Sequence, residues 1–134
     1  MSRFVPKVED FAERVRASFA RQNVMATIGA SLVRAEPGEA EIAMPVAAQL
    51  CQQHGFIHAG IVTTLADTAC GYAAFSLMPA SAGVLTAEFK VNLLAPAAGE
   101  RLVAIGRVVK PGRTLTVAQG EVFAEAKGEP GSSP

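Results

Sequence analysis

The sequence predicts an α+β domain in which one long, nearly uncharged helix is wrapped by a curved antiparallel sheet. Three observations carry this. Between Glu41 and Glu88 the only Asp, Glu, Lys or Arg is Asp67, which marks residues 42–87 as a stretch enclosed on most sides. Beyond Gly83 three strand-like segments follow at residues 84–94, 101–110 and 114–126. The breaks between them, Ala95-Pro96-Ala97-Ala98-Gly99 and Pro111-Gly112-Arg113, are rich in turn formers. Strands longer than the usual five or six residues, joined by short turns, suit a sheet that curls.

The elements before the long helix follow from periodicity. Val8, Phe11, Ala12, Val15 and Phe19 recur at steps of three and four, the pattern of an amphipathic helix. Glu9 and Asp10 at its start and Arg14, Arg16 and Arg21 further along suit the helix dipole. Residues 28–35 and 39–45 read as strands on either side of Glu36-Pro37-Gly38-Glu39, a tight turn with proline and glycine in favoured places. The long helix is expected to begin near His58 and to end before Pro79.

A stretch this poor in charge is either packed in protein or in lipid. The candidate span 56–78 contains Gly60, Thr63, Thr64, Asp67, Thr68, Gly71 and Ser76 and has no basic flank. Spanning a bilayer takes about twenty predominantly apolar residues, so the helix is expected in a protein core and no membrane partner is expected. With 134 residues, half of them hydrophobic, residues 1–127 suit one domain. The Gly-, Pro- and Ser-rich tail 128–134 is expected to be disordered.

Twelve basic and twelve acidic residues balance, so no general positive field exists to hold nucleic acid. Cys51 and Cys70 lie outside any CxxC pair or zinc-ligand spacing and are expected to be reduced, packed thiols. Residues 2–22 are charged throughout, which leaves no apolar core for a secretory signal. The expected location is the cytoplasm.

Gly55-Phe56-Ile57-His58-Ala59-Gly60 followed by Leu65-Ala66-Asp67-Thr68-Ala69 resembles the signature of the hot-dog acyl-CoA thioesterases of the phenylacetic acid degradation type. In that family a Gly-x-x-His-Gly-Gly turn opens the central helix and an acidic residue lies nine positions after the histidine, as Asp67 does after His58. The resemblance continues through Val84-Leu85-Thr86-Ala87-Glu88-Phe89, Leu94-Ala95-Pro96, Gly99-Glu100 and Lys110-Pro111-Gly112-Arg113, covering roughly residues 24 to 125. It implies a hot-dog fold, here with an extra N-terminal helix, and hydrolysis of an acyl-CoA, with a medium-chain or aromatic acyl group expected. No metal or redox cofactor is expected; coenzyme A is part of the substrate. Two departures stand out. Ala59 replaces the commoner glycine, keeping the backbone donor if its φ is negative. After residue 127 the sequence passes into Gly128-Glu129-Pro130-Gly131-Ser132-Ser133-Pro134, where family members usually continue into another apolar strand.

Thioester hydrolysis needs donors for the developing oxyanion and a base or nucleophile near the carbonyl carbon. The helix start offers free N–H groups and the positive end of the dipole, making the Ala59 and Gly60 amides candidate oxyanion donors. Asp67 is the candidate base or nucleophile, since an apolar setting raises a carboxylate's basicity. Seven residues separate Gly60 from Asp67, about two turns and roughly 10 Å along the axis. One thioester therefore meets both groups only if they come from different subunits, and the resemblance implies the same, so a homodimer or a dimer of dimers is expected.

The resemblance aligns Gln52 with a residue that orients water or thioester, and Thr86 with one that contacts water from the opposing strand. It makes His58 mostly structural, holding the turn by hydrogen bonds. Arg113 is the first candidate for the coenzyme A phosphates, with Lys90 also basic in the sheet half. Tyr72, Phe75 and Leu77 are candidates for an acyl pocket. Two alternatives share the residues: a hot-dog enoyl-thioester dehydratase or hydratase using His58 with an acid, and a noncatalytic acyl-CoA binding protein.

Overall fold

A computed structural model describes residues 4–126; the 128–134 tail lies outside them. The elements are α1 (Phe11–Ala20), α2 (Asn23–Ile28), β1 (Ser31–Glu36), β2 (Glu39–Pro45), a short 3-10 turn (Ala48–Leu50), α3 (Ala59–Phe75), β3 (Arg101–Lys110) and β4 (Val117–Glu125). The four strands form one antiparallel sheet in the order β1-β2-β3-β4, and α3 lies across its inner face.

Alternation along the strands builds that face. Cross-strand rows are Met44–Leu102–Ala124, Ile42–Ala104–Val122 and Ala40–Gly106–Gly120. The first two pack on Leu65, Ala69 and Tyr72 of α3. The third contains nothing larger than a methyl group, and there the helix comes down onto the sheet. A Cβ on Gly106 would stand 2.5 Å from the Ala69 carbonyl group and the Cys70 nitrogen, and one on Gly120 would stand 2.9 Å from Cys70 Sγ. Gly106→Val should therefore lift α3 off the sheet and cost about 3 kcal/mol or more. Denaturant unfolding checks this; an unchanged midpoint would show that the close approach contributes nothing.

The far end of α3 is pinned to the β1–β2 turn. Gly38 adopts φ 77° after Pro37, as the turn chemistry predicts. Its N–H donates to Ser76 Oγ (2.8 Å), which donates to the Ala73 carbonyl (2.7 Å), so the buried serine is satisfied. No helix among the described residues is long and apolar enough to cross a membrane.

Three expectations need correction. Residues 23–28, whose last position was read as the start of a strand, form α2 instead: Met25 and Ile28 are buried three apart, and Gly29 at φ 75° ends the turn before β1 begins at Ser31. The last strand starts at Val117 rather than Thr114. Residues 84–94 are not a strand of this sheet. The physical reason is the lack of a neighbour: a strand needs a ladder partner, and here Leu85 (95 % exposed), Phe89 (61 %) and Leu94 (80 %) face open space.

Candidate functional site

The predicted site residues fall into two groups two helical turns apart. The first surrounds the start of α3. His58 is the N-cap, with φ −57° and ψ 136°, and its Nδ1 accepts from the Gly60 N–H at 2.8 Å. The resemblance implied that His58 holds the turn by hydrogen bonds; here its cap occupies one of the two amides expected to receive an oxyanion. The Ala59 N–H makes no hydrogen bond among the described residues. No described residue other than glycine has a positive φ, so alanine holds its donor there without strain.

Gln52 sits beside this helix start because Cys51 bridges Ile57 and the His58 N–H donates to the Leu50 carbonyl (2.9 Å). Its Oε1 accepts from the His54 N–H (2.6 Å) and the Phe56 N–H (3.2 Å). Two backbone donors can pair only with the carboxamide oxygen, so the Nε2 group is presented on the other side, with no acceptor among the described residues.

The second group surrounds Asp67. Leu65 and Ala69 are fully buried against the sheet, and Asp67, two residues from each, is on the opposite face of the helix. Its half-buried carboxylate accepts from Thr86 Oγ1 at 2.6 Å. Thr86 thus approaches from the 84–94 segment, which is outside the sheet and not the opposing strand the resemblance implied. Both residues line a cavity of about 740 Å³ between α3, α1 and residues 80–86. Tyr72 and Phe75, two of the acyl-pocket candidates, line it too; the third, Leu77, packs in the core beside Ala73, Ala74 and Val108. Cys70, one turn from Asp67, is pushed up to about 11 by burial and by the Asp67 charge, so at neutral pH it is a thiol and no nucleophile. Both cysteines are free.

Lys90 and Arg113 do not line this cavity. Lys90 is exposed on the 84–94 segment and Arg113 in the β3–β4 turn. Missed altogether was the wall opposite Asp67: Arg14 and Ser18 of α1, Arg21 at its C-terminal cap and Gln22, which caps α2, all line the cavity. Arg14, Ser18 and Arg21 recur at steps of four and three, but in the sequence Arg14 and Arg21 only suited the helix dipole, and Ser18 and Gln22 had no expected role.

Residues 54–130 match the Thioesterase superfamily. A thioesterase family protein from Silicibacter pomeroyi is 60% identical, with a TM-score of 0.87 over 89% of this chain and 88% of its own. The Escherichia coli PaaI protein from the phenylacetic acid degradation operon is 25% identical, with a TM-score of 0.78 over 85% of this chain and 81% of its own. The TT0310 protein from Thermus thermophilus is 28% identical, with a TM-score of 0.70 over 80% of this chain and 89% of its own. The chain belongs to the thioesterase superfamily and has the hot-dog fold of its phenylacetic acid degradation type.

Proposed function

We propose that this protein is an acyl-CoA thioesterase working as a cytoplasmic homodimer or dimer of dimers, with each site shared between two subunits. The observation that carries the reading is the division of the site: Asp67 and Thr86 meet at a cavity, whereas the unpaired Ala59 N–H and the Gln52 amide lie at the helix start, about two turns away. A second subunit running antiparallel would bring its helix start to the first subunit's Asp67. The exposed apolar side chains at Leu85, Phe89, Leu93 and Leu94 support such pairing, since burying them is a favourable term for association.

In this arrangement Asp67 either takes a proton from the attacking water or adds to the carbonyl carbon itself to give a mixed anhydride that water then cleaves. The carbonyl oxygen receives the Ala59 N–H of the second subunit as negative charge builds. Collapse breaks the C–S bond and expels coenzyme A thiolate, which takes its proton from Asp67 in the first route and from solvent water in the second. His58 serves as the cap and touches no substrate.

Release of free thiol from a panel of acyl-CoAs by the purified chain tests the reading. Tight binding without release would favour an acyl-CoA binding protein. Hydration of an enoyl thioester that leaves the thioester intact and requires His58 would favour a dehydratase or hydratase.

A further inference from the structure

The cavity beside Asp67 has an unusual roof. One turn beyond Asp67 stands Gly71, where a Cβ would make ordinary contact with Val84 (3.9 Å), and Gly71, Tyr72 and Val84 all line the cavity. Above it lie Arg14 and Ser18 of α1, Arg21 at its C-terminal cap and Gln22, which caps α2. A plain hydrocarbon chain laid against these groups would strip them of water and return nothing.

Their hydrogen bonds leave a specific remainder. Gln22 Nε2 donates to the Tyr72 hydroxyl (2.9 Å), and the Ser18 and Tyr72 hydroxyls share one bond (3.0 Å). Two hydroxyls carry two protons and that bond uses one, so whichever donates, the other hydroxyl keeps an unspent O–H. Arg14 is committed: it donates to the Met78 and Ala80 carbonyls and lies 4.8 Å above the Phe75 ring. Arg21 has no acidic or carbonyl partner for its guanidinium among the described residues. Asp67 is the only acid among the described residues lining the cavity. A guanidinium and a hydroxyl donor therefore face a space in which only the reacting carboxylate is negative.

We propose that this wall binds a carboxylate at the far end of the acyl group, with Arg21 as its cation and the Ser18–Tyr72 pair as its hydroxyl donor, making ω-carboxyacyl thioesters the preferred substrates. This rests on the thioesterase reading. Tyr72 follows Asp67 by about one and a half helical turns, some 7 to 8 Å along the axis, a reach that short dicarboxylyl chains match. The same chemistry would also suit a phosphate of coenzyme A, so the test separates the two sources.

Thiol release is measured for succinyl-, glutaryl- and adipoyl-CoA against butyryl-, pentanoyl- and hexanoyl-CoA, and for the same acyl groups on N-acetylcysteamine. The best dicarboxylyl thioester should exceed its monocarboxylyl counterpart in kcat/KM by about tenfold or more on either carrier, and Arg21→Gln should bring that ratio close to one. Ser18→Ala should lower the same ratio in part. A wild-type ratio near one, or a ratio unmoved by Arg21→Gln, would overturn the inference while leaving the thioesterase reading intact. So would an Arg21→Gln variant that weakens all CoA thioesters alike and spares the N-acetylcysteamine ones, which would assign the cation to the phosphates. Release of no thiol from any member would overturn both readings together.

Discussion

Replacing Asp67 with Asn should lower kcat for thioester hydrolysis by about 10²- to 10⁴-fold with little change in stability. Asparagine has the same shape, and its side-chain oxygen can still accept from Thr86 Oγ1, now 2.6 Å from the carboxylate. What disappears is the ability to take a proton or to attack a carbonyl carbon, so the loss falls on the chemical step. Steady-state thiol release beside a thermal unfolding curve separates the two effects. A variant that keeps most of wild-type kcat would remove Asp67 from the chemistry, and one that fails to fold would make it a structural residue.

Ala59→Pro should cost about 10²- to 10³-fold in kcat, the size expected for losing one oxyanion donor. The substitution removes a single hydrogen-bond donor from a place that suits proline. Ala59 is the first residue of α3, where proline's fixed φ is pre-organised and its missing N–H breaks no helical bond. His58 at φ −57° and ψ 136° already has the extended conformation that a residue before proline prefers. The fold should survive, and KM should move little if the ground-state carbonyl makes weaker use of that donor than the transition state does. Circular dichroism and kcat measured on the same preparation check this. Full activity with proline at this position would show that the oxyanion is held elsewhere, leaving Gly60 as the next amide to consider only if His58 releases it.

Local features of the sequence carried much of this. The charge-free run around Asp67, the glycine turn before it and Pro79 after it bounded α3 to within a few residues because helix starts and stops are local chemistry. The Pro37-Gly38 turn was legible for the same reason. What depended on partners far along the chain was not. Residues 84–94 have the composition of a strand, but composition does not say whether an edge is available, and within one chain none is used. The Gly60 amide looked free because a helix start leaves its N–H groups unpaired, and only the position of His58 Nδ1, 2.8 Å away, shows it taken. Arg14, Ser18 and Arg21 are spaced as one helical face would be, but that they and Gln22 line a cavity opposite Asp67 depends on how the end of α1 lies against α3.

The division of the site between subunits is tested most directly by mixing the two inactive variants. A dimer of one Asp67→Asn chain and one Ala59→Pro chain has one site lacking both groups and one site lacking neither. Co-expressed in equal amounts, the variants should regain about a quarter of wild-type activity, since about half the dimers are mixed and each carries one intact site. Activity that stays at the level of the separate variants, in a preparation shown by mass spectrometry to contain the mixed dimer, would contradict the shared site and place Asp67 and its oxyanion donor within one chain.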